Sequence, residues 1–233
     1  MLLFIFPTDI SAAAAHSTIP RSGQHLVVRQ VSGQQGITRQ YSILSRASTK
    51  NYFLLLIKMY EEGEMSRLVA GWQVGAKVSC RGPLGSPPPL DRLVRSSSLV
   101  VFCQGSGLVP MVPLISDLLE EEWEGRITMV YSESSASNIL LLDRLNELCG
   151  FWNFRLKIFL GEGVGPAGKV PQREIILHKL SKEDIQGEVS KEDIQGEVSK
   201  EASYLVCGGK QYMKEVVGVL SEAGVGEASL HRF

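Results

Sequence analysis

The sequence predicts two domains in series, a small antiparallel β-barrel or sandwich over residues 1–94 and a doubly wound parallel-sheet α/β domain over residues 95–233. Three observations predict it. Short β-favouring runs fill the first ninety residues. The stretch "GPLGSPPPLDR" at 82–92 then breaks the pattern, because its four prolines propagate neither a helix nor a sheet centre. Beyond it, apolar strand-like runs alternate with helical ones, the rhythm of a parallel sheet covered on both faces.

Composition narrows the classes further. A length of 233 residues suits one large domain or two small ones, and a hydrophobic fraction of 44% supplies a packed core. The 24 basic residues are balanced by 25 acidic ones, so no nucleic-acid partner and no anionic membrane is indicated. No run of about 18 apolar residues occurs, so no spanning helix is expected. Cys80, Cys103, Cys149 and Cys207 are widely spaced and form no CxxC pair, so no metal site is expected. They read as reduced, mostly buried thiols of a cytoplasmic protein.

The elements follow in order. "LLFIF" at 2–6 reads as a strand ended by Pro7, in preference to a signal peptide, because no positive segment precedes it. "HLVVRQV" (25–31), "TRQYSIL" (38–44), "YFLLLIKMY" (52–60) and "KVSCRGP" (77–83) are the next strands, separated by turn compositions. "SSLVVFCQ" opens the second domain as a strand buried on both faces. "GSGLVPMVPLISDLLEEEWEG" turns through glycines into a helix that carries Pro110 and Pro113 in its opening turns. "RITMVYSES", "FRLKIFLGEG" and "ASYLVCGG" are further strands; "NILLLDRLNELC", "PQREIILHKL" and "KQYMKEVVGVLSEAG" read as helices. "SKEDIQGEV" at 181–189 recurs unchanged at 190–198 and "SKE" follows. Two short copies make no solenoid, so 181–201 is expected to be a solvated connector.

Four stretches carry residue types suited to ligand chemistry. "RQYS" places Arg39 and Tyr41 on one strand face, Gln40 and Ser42 on the other. A guanidinium clamps a pyrophosphate in bidentate fashion, and a tyrosine ring lies against flat ligands. "GEMS" at 63–66 opens a helix whose free N–H groups suit phosphate oxygens. "QGSGLVPM" at 104–111 follows a buried strand, and its glycines let backbone approach a ligand, although the third glycine of GxGxxG is absent. "CGG" at 207–209 puts a thiol at a strand's carboxyl end, where open α/β sheets bind ligands. Taken alone, each stretch is explained more simply as an ordinary strand, helix start or turn.

The set says more than its parts. In order and spacing, "RQYSILS", "LIKMY", "GEMSRLVAGWQVGAKVSCRGPLG", "VFCQGSGLVPMVPLI", "NILLLDRLNEL" and "VCGGKQYM" resemble the ferredoxin-reductase-like flavoenzymes, and among these the NADH–cytochrome b5 reductases. Patterns close to R-P-Y-T-P-x-S, I-K-V-Y, G-K-M-S, G-G-T-G-I-x-P-M and C-G-P-P-x-M mark that family. The resemblance implies an FAD-binding barrel followed by an NAD-binding domain. It implies hydride transfer from NADH to FAD, then single electrons to cytochrome b5 or a similar haem protein. Arg39, Gln40, Tyr41 and Ser42 would hold the FAD pyrophosphate, ribityl chain and ring. Leu56, Lys58 and Tyr60 would line the flavin. Gly63, Met65 and Ser66 would cap its phosphates. Gly105, Ser106, Gly107 and Pro110 would shape the nicotinamide pocket, with Cys207 and Gly208 at its far wall. Ser42, Ser106 and Cys207 would be the catalytic candidates, nearest the hydride path.

Departures from the pattern set further expectations. Glu64 replaces a lysine, Gln104 a glycine, and Gly209 and Lys210 two prolines; Asn138 and Leu142 stand where the family has Asp and Arg. The family's barrel begins about one strand earlier, so a shortened chain is expected, with membrane association only through a missing N-terminus. A non-catalytic remnant of the same fold is the alternative reading. "SESSASN" after "RITMVY" offers no basic residue for a 2′-phosphate, and Glu133 repels one, although its serines can still bind it. NADH is therefore expected over NADPH by about tenfold, about 1.4 kcal/mol.

Overall fold

The computed structural model of the chain describes residues 2–7, 22–32, 35–46, 48–49, 51–88, 90–166, 168, 170–193 and 202–233. They divide into two compact units, Met1–Pro87 with Val112–Asp117, and Pro88–Met111 with Leu118–Phe233.

The first unit is antiparallel. Strands β1 (Leu2–Pro7) and β4 (Tyr52–Ile57) pair with each other. Strands β2 (His25–Ser32), β3 (Gln35–Ser42) and β5 (Ser79–Leu84) form a second sheet in the order β3-β2-β5. A bridge between Ile43 and Leu55 links the two sheets, giving a barrel-like layout. The period of two aims Leu26, Val28, Ile37, Leu55 and Ile57 at one core, which Met65 and Val69 of helix α1 (Glu64–Ala70) complete. Phe6 lies directly opposite Phe53 across the β1–β4 pair, and their rings stack with centroids 5.1 Å apart.

The second unit is a six-stranded sheet. It comprises β6 (Ser98–Gln104), β7 (Arg126–Glu133), β8 (Phe154–Leu160), β9 (Arg173–Ile176), β10 (Ala202–Cys207) and β11 (Leu230–Arg232), all parallel, in the order β11-β10-β6-β7-β8-β9. Ser98 to Cys103 of β6 are all buried, as a strand covered on both faces requires. The helices of this unit are α2 (Leu90–Leu93), α4 (Leu142–Leu148), α5 (Lys182–Asp193) and α6 (Lys210–Glu222), while helix α3 (Met111–Glu120) contributes Val112–Asp117 to the first unit. Helices α5 and α6 pack Ile185, Val189, Val216 and Leu220 with Val100, Phe102, Tyr204 and Val206 in one apolar cluster.

Four expectations are corrected. "PQREIILHKL" holds no helix; Arg173–Ile176 is the edge strand β9, because a short isoleucine-bearing run finds a parallel partner in β8. The helix expected across 138–149 begins only at Leu142, after Leu141 takes the left-handed conformation at φ 52°. The first copy of the repeat is not a solvated connector but the packed helix α5. Its signal was legible as a capping box. Ser181 Oγ accepts from the Asp184 N–H at 3.2 Å, and Asp184 Oδ2 accepts from the Ser181 N–H at 2.9 Å. Positions 194–201 of the expected connector lie outside the described residues. Finally, the thiols are not mostly buried, since Cys80 is exposed and Cys207 half-buried; only Cys103 and Cys149 are buried.

Among the described residues, no helix is long and apolar enough to cross a membrane, and no group of His, Cys, Asp or Glu is placed to hold a metal ion.

Candidate functional site

In the first unit, strand β3 displays the expected flavin residues. Arg39 is exposed and its Nη1 donates to the Thr38 carbonyl at 2.8 Å. Tyr41 shares its face and is half-buried against the core. Burial pushes the Tyr41 phenol up, and the charge of the Arg39 guanidinium partly offsets this. Gln40 is exposed and Ser42 half-buried on the opposite face.

Leu56 is 6% exposed and lies on the β4 face opposite Leu55 and Ile57. Lys58 is half-buried just past the strand, and Tyr60 is exposed. At α1, Gly63 is the N-cap and its carbonyl accepts the first helical bond, from the Arg67 N–H at 3.0 Å. Ser66 is buried and its hydroxyl accepts the Tyr60 N–H at 3.0 Å, while Met65 packs in the core. Both side chains are thus engaged within the unit. What this turn presents outward is the unbonded backbone at the helix start. A Cβ on Gly63 would come 2.7 Å from Ser66 Oγ, so glycine is what allows the serine to fold back.

In the second unit, the strand order reverses between β6 and β10. Loops leave their carboxyl ends in opposite directions there and open a crevice. Gly105, Ser106 and Gly107 form a 3-10 turn directly after β6, followed by buried Pro110. Gly105 sits at φ 56°, a conformation costly for other residues. Gly107 is buried against the end of β10; a Cβ there would lie 2.4 Å from the Cys207 carbonyl oxygen. Ser106 is exposed beside this contact. Cys207 ends β10, and burial pushes its thiol up to about 12, so it is a neutral thiol at physiological pH. Of the three catalytic candidates, Ser106 and Cys207 belong to the second unit and Ser42 to the first.

Beside this turn lies a cleft of about 460 Å³. It is lined by the strand-end residues Gln104, Ser132, Glu133 and Ser134, and by Gly209, Lys210 and Tyr212 at the start of α6. Glu133 is fixed there: its Oε1 accepts from the Tyr131 hydroxyl at 3.1 Å and its Oε2 from the Ser134 N–H at 3.3 Å. The Ser132 hydroxyl and the Tyr212 phenol are buried at the cleft and have no hydrogen-bond partner among the described residues. Burial holds the Tyr212 phenol far above its ordinary range, and the nearby Ser132 offsets part of this although the two hydroxyls do not meet in hydrogen-bonding geometry.

Two departures from the family pattern are neighbours in space. A Cβ on Gly208 would sit 3.1 Å from Gln104 Cβ, and one on Gly209 3.5 Å from Gln104 Oε1. Gln104 and Gly209, which stand where the pattern has glycine and proline, are thus in contact. Sequence reasoning missed two cations. Lys210 and Lys179 both line the cleft. Lys210 directly follows "CGG" and was legible as the first residue of α6; Lys179 comes from the segment after β9, which was read as a helix.

A small antiparallel unit followed by a doubly wound sheet, with glycine turns and an open cleft at its switch point, is the layout of reductases that couple a flavin to a nicotinamide. The family description "Oxidoreductase FAD-binding domain" matches residues 6–87. The chain is 30% identical over 214 residues to the human protein "NADH-cytochrome b5 reductase-like", covering 91% of this chain and 66% of the relative. It is 33% identical over 146 residues to "NADH-cytochrome b5 reductase 1" of Candida albicans, covering 62% of this chain and 49% of that one. The CS-b5R domains of human Ncb5or, in the NAD+ form, superpose with a TM-score of 0.78 at 18% identity, covering 99% of this chain and 64% of that one. The cytochrome b5 reductase domain of Ulva prolifera nitrate reductase gives 0.71 at 17% identity, covering 91% and 85%. These two likenesses are of fold. The chain belongs to the NADH–cytochrome b5 reductase family.

Proposed function

We propose that this chain is an NADH-dependent FAD oxidoreductase that passes electrons singly to a haem-protein acceptor such as cytochrome b5. The observation that carries the reading is the switch-point crevice, where Gly107 packs on the Cys207 carbonyl beside a cleft holding two unpartnered buried hydroxyls. The names of the curated relatives support the activity and the acceptor.

When bound, FAD supplies the two-electron to one-electron conversion; the chain supplies position and field. Arg39 offers a guanidinium to the pyrophosphate and Tyr41 a ring and hydroxyl on the same face, with Ser42 next along the strand and Leu56, Lys58 and Tyr60 in and just past β4. The start of α1 at Gly63 to Ser66 offers backbone N–H groups. In the second unit, Gly105, Gly107 and Pro110 shape the turn that receives the nicotinamide, with Ser106, Cys207 and Gly208 around it. The neutral Cys207 thiol closes this wall without adding charge. The positive end of α6 and Lys210 favour phosphate oxygens.

The test is a visible absorption spectrum of the purified chain, with NADH-driven ferricyanide reduction. A flavin spectrum and turnover are expected. A colourless protein that takes up no added FAD overturns the reading. Arg39→Ala is expected to weaken FAD binding by about 2 kcal/mol, roughly thirtyfold in Kd. Equal flavin retention by variant and parent on gel filtration removes Arg39 from the site.

A further inference from the structure

We propose that Lys179 sets how strongly the second-unit cleft discriminates against a 2′-phosphate, working against Glu133; this rests on reading the cleft as a nicotinamide dinucleotide site. In doubly wound sheets, an acid at the carboxyl end of the second strand meets the ribose 2′-hydroxyl, whereas a nearby cation accommodates a 2′-phosphate. Glu133 ends β7, the second strand of this unit, and its carboxylate is held by the Tyr131 hydroxyl and the Ser134 N–H. On sequence grounds the position is acidic with serines beside it, and the expected preference against the phosphate is about tenfold.

The fold changes that balance. Lys179 reaches the same cleft from beyond β9. Its stem crosses Gly161: a Cβ on that glycine would lie 3.3 Å from both Cγ and Cε of the lysine, and 3.5 Å from the Ser134 carbonyl. The absence of a side chain at Gly161 is therefore what leaves Lys179 its path along the Ser132–Ser134 strip. Among the described residues Lys179 has no carboxylate partner, and its side chain is exposed, so its charge is available to a ligand. Both signs of charge thus face one cleft, and the Ser132 hydroxyl beside Glu133 has no hydrogen-bond partner among the described residues. The lysine lowers the margin that Glu133 alone would impose.

The experiment compares 5′-AMP with 2′-phospho-5′-AMP by calorimetry on the FAD-loaded chain, alongside KM and kcat for NADH and NADPH. Lys179→Met is expected to weaken 2′-phospho-5′-AMP about fivefold while leaving 5′-AMP within about twofold. Lys179→Arg retains the parent ratio, and Glu133→Gln shifts it toward the phosphorylated nucleotide. The NADPH effect falls on KM and not on kcat. An unchanged ratio in Lys179→Met overturns the proposal and leaves the nucleotide site standing. Equal weakening of both nucleotides also overturns it, since the lysine then serves a phosphate common to both. Failure of the parent chain to bind either nucleotide removes the nucleotide site itself, and the proposal with it.

Discussion

Gly107→Ala is expected to destabilise the second unit by about 3 kcal/mol and to abolish binding of 5′-AMP. The added methyl would sit 2.4 Å from the Cys207 carbonyl oxygen, 2.6 Å from its carbon and 2.9 Å from the Gly208 nitrogen. All three are backbone atoms of the strand end that forms the crevice, and no rotamer change relieves the clash. The turn after β6 and the end of β10 must separate, and their separation opens the place where the sheet reverses. Gly105→Ala is the control. Its Cβ meets only Glu133 Oε1, at 3.9 Å, so its cost is that of a left-handed alanine, about 1 kcal/mol. Thermal melting and nucleotide calorimetry on both variants decide the matter; a Gly107→Ala chain that melts and binds like the parent refutes the packing argument.

Glu188→Ala is expected to cost about 3–5 kcal/mol, lowering Tm by about 10 °C. Lys157 Nζ of β8 lies 2.6 Å from Glu188 Oε1 of α5, with side chains 9% and 8% exposed. Removing the acid strands a buried ammonium, whose remaining neighbour is Glu174, 3.6 Å away and 57% exposed. Glu174→Ala, by contrast, changes stability by less than about 1 kcal/mol, because that partner is solvated. Replacing both members, Lys157→Met with Glu188→Leu, restores most of the loss, since an apolar pair of similar volume carries no desolvation cost. A Glu188→Ala chain that melts within about 1 °C of the parent shows that the pair adds nothing. This pair also explains why α5 escaped the sequence reading. "SKEDIQGEV" carries one lysine and three acids and looks solvated. Only the sheet beneath it, with a lysine facing Glu188 and an apolar surface for Ile185 and Val189, makes one helical face a core face.

The sequence by itself determined the elements whose periodicity is strong. Leu99 to Cys103 read as a strand buried on both faces, and β2 alternates as a half-buried strand does. The glycines of "QGSGLVPM" and "CGG", each after a buried strand, marked carboxyl ends where ligands bind, and their order with "RQYS" and "GEMS" carried the family. These are local signals, written in neighbouring residues. Tertiary structure alone decided what depends on distant partners. The short run at 173–176 became a strand because β8 offered its edge, and the leucine-rich start of 138–149 stayed out of the helix because Leu141 turns left-handed there. Gln104 meets Gly208 and Gly209, a hundred residues on in the chain, because β10 pairs beside β6. Lys179 enters the cleft because Gly161 leaves its stem a path. The physical reason is common to all four: backbone pairing, steric room and charge act through space, and residues far apart along the chain meet only once the sheet has formed.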